Sequence, residues 1–213
     1  MKCSLTIMAC LAACASPSAA LAKAFPLNPI GLPFAPDSPK PLSPDHPLYR
    51  QVALDPVADM PSKVGSFLVP ITSAKELNDA LRQTLESANM LAPPGSQPKV
   101  RLAVRWAGLK APAKISFSSE ATASLSYSLI RVDTGQELFR RDISTFSRST
   151  GGDASDRLKG NARLAILTNL ASAVVCLDKA AYMRAPADCA LTPLATYQAR
   201  RPATVVVVPR YAH

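Results

Sequence analysis

Between Ile115 and Ser147 the chain alternates apolar and polar residues over two long runs, and a repeat of two sustained that far admits only paired β-strands. In the first run Ala121, Ala123, Leu125, Tyr127 and Leu129 fall on one side, and Thr122, Ser124, Ser126 and Ser128 on the other. Asp133-Thr134-Gly135-Gln136 is a turn by composition, and the run from Glu137 to Ser147 returns as the partner strand, so the two form an antiparallel hairpin. With one face apolar and one polar, the sheet they belong to is covered on one side only.

The cover must come from helices, and two are legible. Ser73 followed by Glu76 has the spacing of a capping box. Leu77, Ala80, Leu81, Thr84, Leu85 and Ala88 then recur at helical spacing, until Asn89 and Pro93-Pro94-Gly95 end the run. After Gly151-Gly152, with Asp153 or Ser155 as cap, Leu158, Ala162, Ala165, Ile166, Leu170, Ala173, Val174 and Leu177 form a second apolar stripe. Val64 to Ile71 is expected as a first strand, and Val100, Leu102, Val104 and Trp106, alternating with Arg101, Ala103 and Arg105, as another. The expected fold is α+β: an antiparallel sheet with two helices on one face, in the order βαβββα, spanning residues 63–178. The C-terminal extension, 179–213, ends near a run of four valines, Val205 to Val208, which calls for a pairing partner such as an edge strand.

The N-terminal part obeys other rules. Lys2 and the apolar run Leu5 to Ala15 have the make-up of an export leader over residues 1–24, too short to span a bilayer. Two cleavage positions compete. Leu11-Ala12-Ala13-Cys14 has the form of a lipobox, in which Cys14 takes a diacylglycerol and becomes the first mature residue. Ala20-Leu21-Ala22 is an ordinary small-x-small site that would release a soluble chain. Both place the protein in the periplasm or cell envelope. Residues 25–62 hold ten of the twenty prolines and are expected as an extended tether, with a reach on the order of 100 Å at about 3.1 Å per residue.

Export changes what the charge and the cysteines mean. A net charge of +9 would suggest nucleic acid inside a cell, whereas in the envelope the available polyanions are lipid headgroups and cell-wall polymers, so no nucleic-acid partner is expected. Lys99, Arg101 and Arg105 on one strand, with Arg131 and Arg140 across the sheet, are the candidate surface for an anionic ligand; a merely solvated face is the competing reading. Outside the leader only Cys176 and Cys189 remain, an even pair in an oxidising space and hence a candidate disulfide. Closing that loop stabilises by about 3 kcal/mol on chain-entropy grounds.

Reactive constellations are not evident. His46 lies in the proline-rich stretch and His213 is the last residue, so neither suits a histidine-based triad or metal centre. Glu120 and Asp142 read as strand-face carboxylates, and Gly151-Gly152 lacks the lysine of a phosphate loop. Trp106 and Tyr127 fall on apolar faces and are expected in the core. No enzymatic activity, cofactor or metal is expected.

The helix Leu77 to Leu91, the hairpin Tyr127-Ser128-Leu129-Ile130-Arg131-Val132-Asp133-Thr134-Gly135 and the alanine-rich helix Leu158 to Leu177 together resemble a group of small bacterial envelope lipoproteins that includes the ABC-type transport auxiliary lipoproteins. The resemblance implies a membrane-tethered accessory subunit of an envelope transport or assembly system, partnered by an envelope protein complex such as an ABC-type transporter, with no chemistry of its own. The alternative is a periplasmic binding module for anionic lipid or cell-wall fragments.

Overall fold

The computed structural model describes residues 40–65, 70–111, 118–150, 154–181, 191–197 and 207–211. Its elements, in chain order, are β1 (Val52–Leu54), β2 (Lys63–Gly65), β3 (Pro70–Ser73), α1 (Ala74–Ser87), β4 (Val100–Lys110), β5 (Ser118–Arg131), β6 (Glu137–Thr150), α2 (Ala154–Ala181), β7 (Leu191–Tyr197) and β8 (Val207–Tyr211). Six strands form one sheet in the order β1-β4-β5-β6-β7-β8, and β2 pairs with β3 in a separate two-stranded ribbon.

The centre of the sheet is the antiparallel trio β4-β5-β6, with Leu125 opposite Trp106 on one side and Ile143 on the other. Parallel strands flank it, β1 on β4 and β7 on β6. The α1-containing connection from β1 to β4 and the α2 connection from β6 to β7 join strands of the same sense and step the same way across the sheet. Crossovers of one hand then place both helices on the same face. That topology accounts for the expected α+β architecture and adds two parallel pairs, β1–β4 and β6–β7, to what the hairpin pattern alone suggests.

The buried side chains follow the periodicities. Leu77, Leu81 and Leu85 of α1 and Ile166, Leu170 and Leu177 of α2 close over Leu102, Val104, Leu125, Tyr127 and Leu129 of the sheet. Each such leucine contributes about 1.5–3 kcal/mol by leaving water. The capping box forms: the Glu76 N–H donates to Ser73 Oγ at 3.2 Å and the Ser73 N–H to Glu76 Oε2 at 3.0 Å. Asn89, with φ +57°, ends the helix region as its place in the sequence suggests.

α2 is apolar enough to cross a membrane by length and composition, with a mean hydropathy of 1.5, yet most of it is buried inside the domain. A polar seam explains the placement. The Tyr127 hydroxyl donates to Asn169 Oδ1 at 2.8 Å, and Asn169 Nδ2 donates to the carbonyls of Ala123 (3.1 Å) and Ile143 (2.8 Å). Thr145 donates to Ala165 O and Ser147 to Asn161 O, both at 2.6 Å, while Asn161 Nδ2 donates to Ser119 O at 2.9 Å. These bonds fix the rotation and the register of α2 on the hairpin. Burial pushes the Tyr127 phenol up, so its hydroxyl is a permanent donor.

Three expectations change. The strand expected over Val64 to Ile71 is two strands, β2 and β3, with Gly65 at φ +104° where the register shifts. The linker expected over 25–62 yields its second half to the domain: Leu42, His46, Leu48, Val52 and Val57 are buried, and residues 52–58 run alongside β4 through the β1 ladder and an Ala58–Arg105 bridge. The apolar residues in that stretch are spaced between prolines, and tertiary contacts with the β4 edge override the proline-rich composition. Finally, the extension after α2 carries two strands rather than a single edge strand, with Val208 opposite Leu194 and Val207 opposite Ala195.

Candidate functional site

A concavity lies between the helix layer and the sheet, where β5 turns into β6. Gly135, at φ +69°, closes this turn, with its N–H donating to Arg131 O at 3.0 Å. A register shift between Leu129 and Ile130 widens the same end of the hairpin. Above it α2 ends in Ala180 and Ala181, which line the hollow together with Leu129 and Phe139. The result is a groove of about 1060 Å³, walled by Pro47 and Leu48 on one side and by Pro98 and Val100 on another. Val132 and Leu138, at 52% and 44% exposure, stand at its mouth and are the large exposed hydrophobic side chains among the described residues.

One wall depends on a contact the sequence does not announce. His46 is buried, accepts from the Leu48 N–H on Nδ1 at 3.1 Å, and places Nε2 3.0 Å from Asp178 Oδ1 on α2. Leu42 N–H donates to Ala88 O at 2.9 Å, and Asn89 Nδ2 donates to Leu42 O at 3.3 Å. The segment bearing Pro47 and Leu48 is thereby held against both helices. His46 is therefore part of a rigid structure, contrary to its expected place in a loose tether, and its role is to fix that wall.

The five basic residues expected to form one anionic-ligand surface divide between two places. Arg101 and Arg105 reach the carboxylates of Asp55, at 3.0 Å, and Asp59, at 2.9 Å. Arg140 lies on the same helix-free face of the sheet as Arg101 and Arg105, beside a shallow hollow of about 240 Å³ with Arg105, Ser126, Ser128 and Glu137. Lys99 and Arg131 line the apolar groove. They are neighbours, since Val100 is opposite Arg131 and the Val132 N–H donates to Lys99 O at 3.0 Å. Arg131 Nε approaches Asp133 at 3.9 Å, and its side chain remains 47% exposed. Asp55 and Asp59 escaped sequence reasoning because they fall in the stretch assigned to the tether.

The carboxylates considered for chemistry have structural partners. Glu120 lies 3.6 Å from Arg148, and Asp142 Oδ1 accepts from the Ser126 hydroxyl at 2.5 Å. Trp106 and Tyr127 are core residues. Among the described residues no three His, Cys, Asp or Glu side chains gather as a metal ion requires. Cys176 is buried on α2; Cys189 and Cys14 lie outside the described residues.

No protein-family model matches the chain, and no curated protein matches it in sequence. Solved structures with a similar arrangement include a DUF330 protein from Xanthomonas campestris, 14% identical, over 68% of this chain and 91% of that one at a TM-score of 0.44. A candidate lipoprotein from Caulobacter crescentus is 13% identical over 62% of this chain and 88% of its own, at 0.38. A hypothetical protein from Chlamydia trachomatis is 10% identical over 62% and 98%, at 0.44.

Proposed function

We propose that this chain is an exported, non-enzymatic envelope protein, held to a membrane by a lipid on Cys14 and serving as an accessory subunit of a transport or assembly system. The ABC-type transport auxiliary lipoproteins that its element order resembles are of this kind. The observation that carries the reading is the largely apolar groove with the exposed Val132 and Leu138 at its mouth. Pro47 and Leu48, which line the groove, belong to the N-terminal part of the described chain. From Cys14 to Lys40 an extended chain reaches on the order of 80 Å at about 3.1 Å per residue, enough to present the groove to a complex near the membrane.

A pull-down from crosslinked envelopes tests the proposal. The wild-type chain is expected to retain one stable protein partner, and Ala180→Trp, which fills the groove, to lose it. Recovery of no partner, or of the same partner with both proteins, contradicts it. A second reading, a periplasmic module for anionic lipid or cell-wall fragments, is favoured by the two cations, Lys99 and Arg131, beside the groove.

A further inference from the structure

The inside of the groove is apolar, and its charge is gathered on one side of the rim. We infer that it holds one acyl chain of an anionic lipid, with Lys99 and Arg131 taking the headgroup. The inference rests on reading the groove as a binding site.

Most of the groove wall is apolar, with Leu48, Val100, Leu129, Phe139, Ala180 and Ala181 together, while Ser96 and Gln97 add polar atoms beside the charged Lys99, Arg131 and Asp133. The part of an occupant that lies on the apolar wall must therefore need no hydrogen bonds. An extended peptide does need them. The lining strands β4, β5 and β6 already spend their backbone groups on one another, with Leu102 opposite Leu129 and Leu129 opposite Phe139. Peptide N–H and C=O groups laid over them would be buried without partners. An acyl chain has no such groups, and the volume of about 1060 Å³ lies at the upper end of ordinary ligand pockets.

The polar end of the ligand follows from the rim. Lys99 and Arg131 are adjacent across the β4–β5 pair and lie beside the exposed Val132, so a headgroup at the mouth meets two cations. Asp133 also lines the groove and stands 3.9 Å from Arg131. The C-terminal end of α2 brings partial negative charge, which Lys179 in its last turn offsets. A head of net negative charge, such as a phosphate diester or a free carboxylate, fits this field better than a zwitterionic head.

The test titrates the full mature chain with palmitoyl lysophosphatidylglycerol and palmitoyl lysophosphatidylcholine, both below micelle formation. The anionic lipid is expected to bind about ten-fold more tightly, a difference of about 1.4 kcal/mol. Reversing both cations, Lys99→Glu with Arg131→Glu, removes the preference. Ala180→Trp weakens both lipids at least about ten-fold. Leu138→Asp, at an exposed position that folding tolerates, weakens both as well and stands in if Ala180→Trp fails to fold. Equal binding of the two lipids overturns the headgroup assignment, and binding of neither overturns the inference. If neither lipid binds but Ala180→Trp still loses a crosslinked protein partner, the lipid inference falls while the groove stands as a protein-docking site. If the filled groove changes neither readout, both fall.

Discussion

Val52→Asp lowers the stability of the domain by at least about 4 kcal/mol, the cost expected when a carboxylate is placed where no partner can reach it. Val52 is 0% exposed and pairs in parallel with Val100, while its N–H donates to Met90 O at 3.0 Å. Urea unfolding followed by circular dichroism provides the measurement. A neutral substitution would mean that this stretch is a tether, as its prolines suggest, and that β1 does not close the β4 edge. A truncation starting at residue 63 is expected to behave like the substitution, whereas one starting at residue 40 keeps the native transition.

Asn169→Leu is expected to cost about 3 kcal/mol, because it leaves the buried Tyr127 hydroxyl without an acceptor and removes the amide that bridges β5 and β6. For a domain of this size the midpoint of thermal unfolding falls by about 6–12 °C. The double substitution with Tyr127→Phe is expected to recover part of the loss, since it deletes the orphaned donor; the difference from additivity measures the coupling. Strictly additive effects would mean that the two side chains do not share a bond. The seam has a wider consequence: it gives a helix of membrane-like hydropathy a reason to lie on this sheet in one orientation.

The parts of this architecture legible in the sequence are those fixed by short-range rules. The alternation through Leu125, Tyr127 and Leu129, the Ser73–Glu76 box and the α2 stripe each state a local preference that the fold obeys. What escaped depends on contacts between segments far apart in the chain. Leu42, His46 and Val52 carry no periodic signal amid the prolines, and they are ordered by Ala88, Asp178 and Val100. The groove escaped for a related reason. It arises where small residues, Ala180 and Ala181, happen to end a helix above Leu129 and Phe139, and no one-dimensional pattern records that coincidence. The basic set divides between the helix-free face and the groove, and Asp55 and Asp59, which pair with two of its arginines, come from the misread segment. Lys99 and Arg131 remained legible as cations, though not as neighbours beside an apolar groove.

The proposed function requires that the domain be held to a membrane by a lipid on Cys14. Intact-mass measurement of the protein isolated from envelopes tests this most directly. The expected mass is that of a chain beginning at Cys14 and carrying a thioether-linked diacylglycerol, less two hydrogens for a Cys176–Cys189 disulfide. A chain beginning at Lys23 without lipid would contradict the anchored reading and leave a diffusing binder, and a chain still beginning at Met1 would contradict export itself.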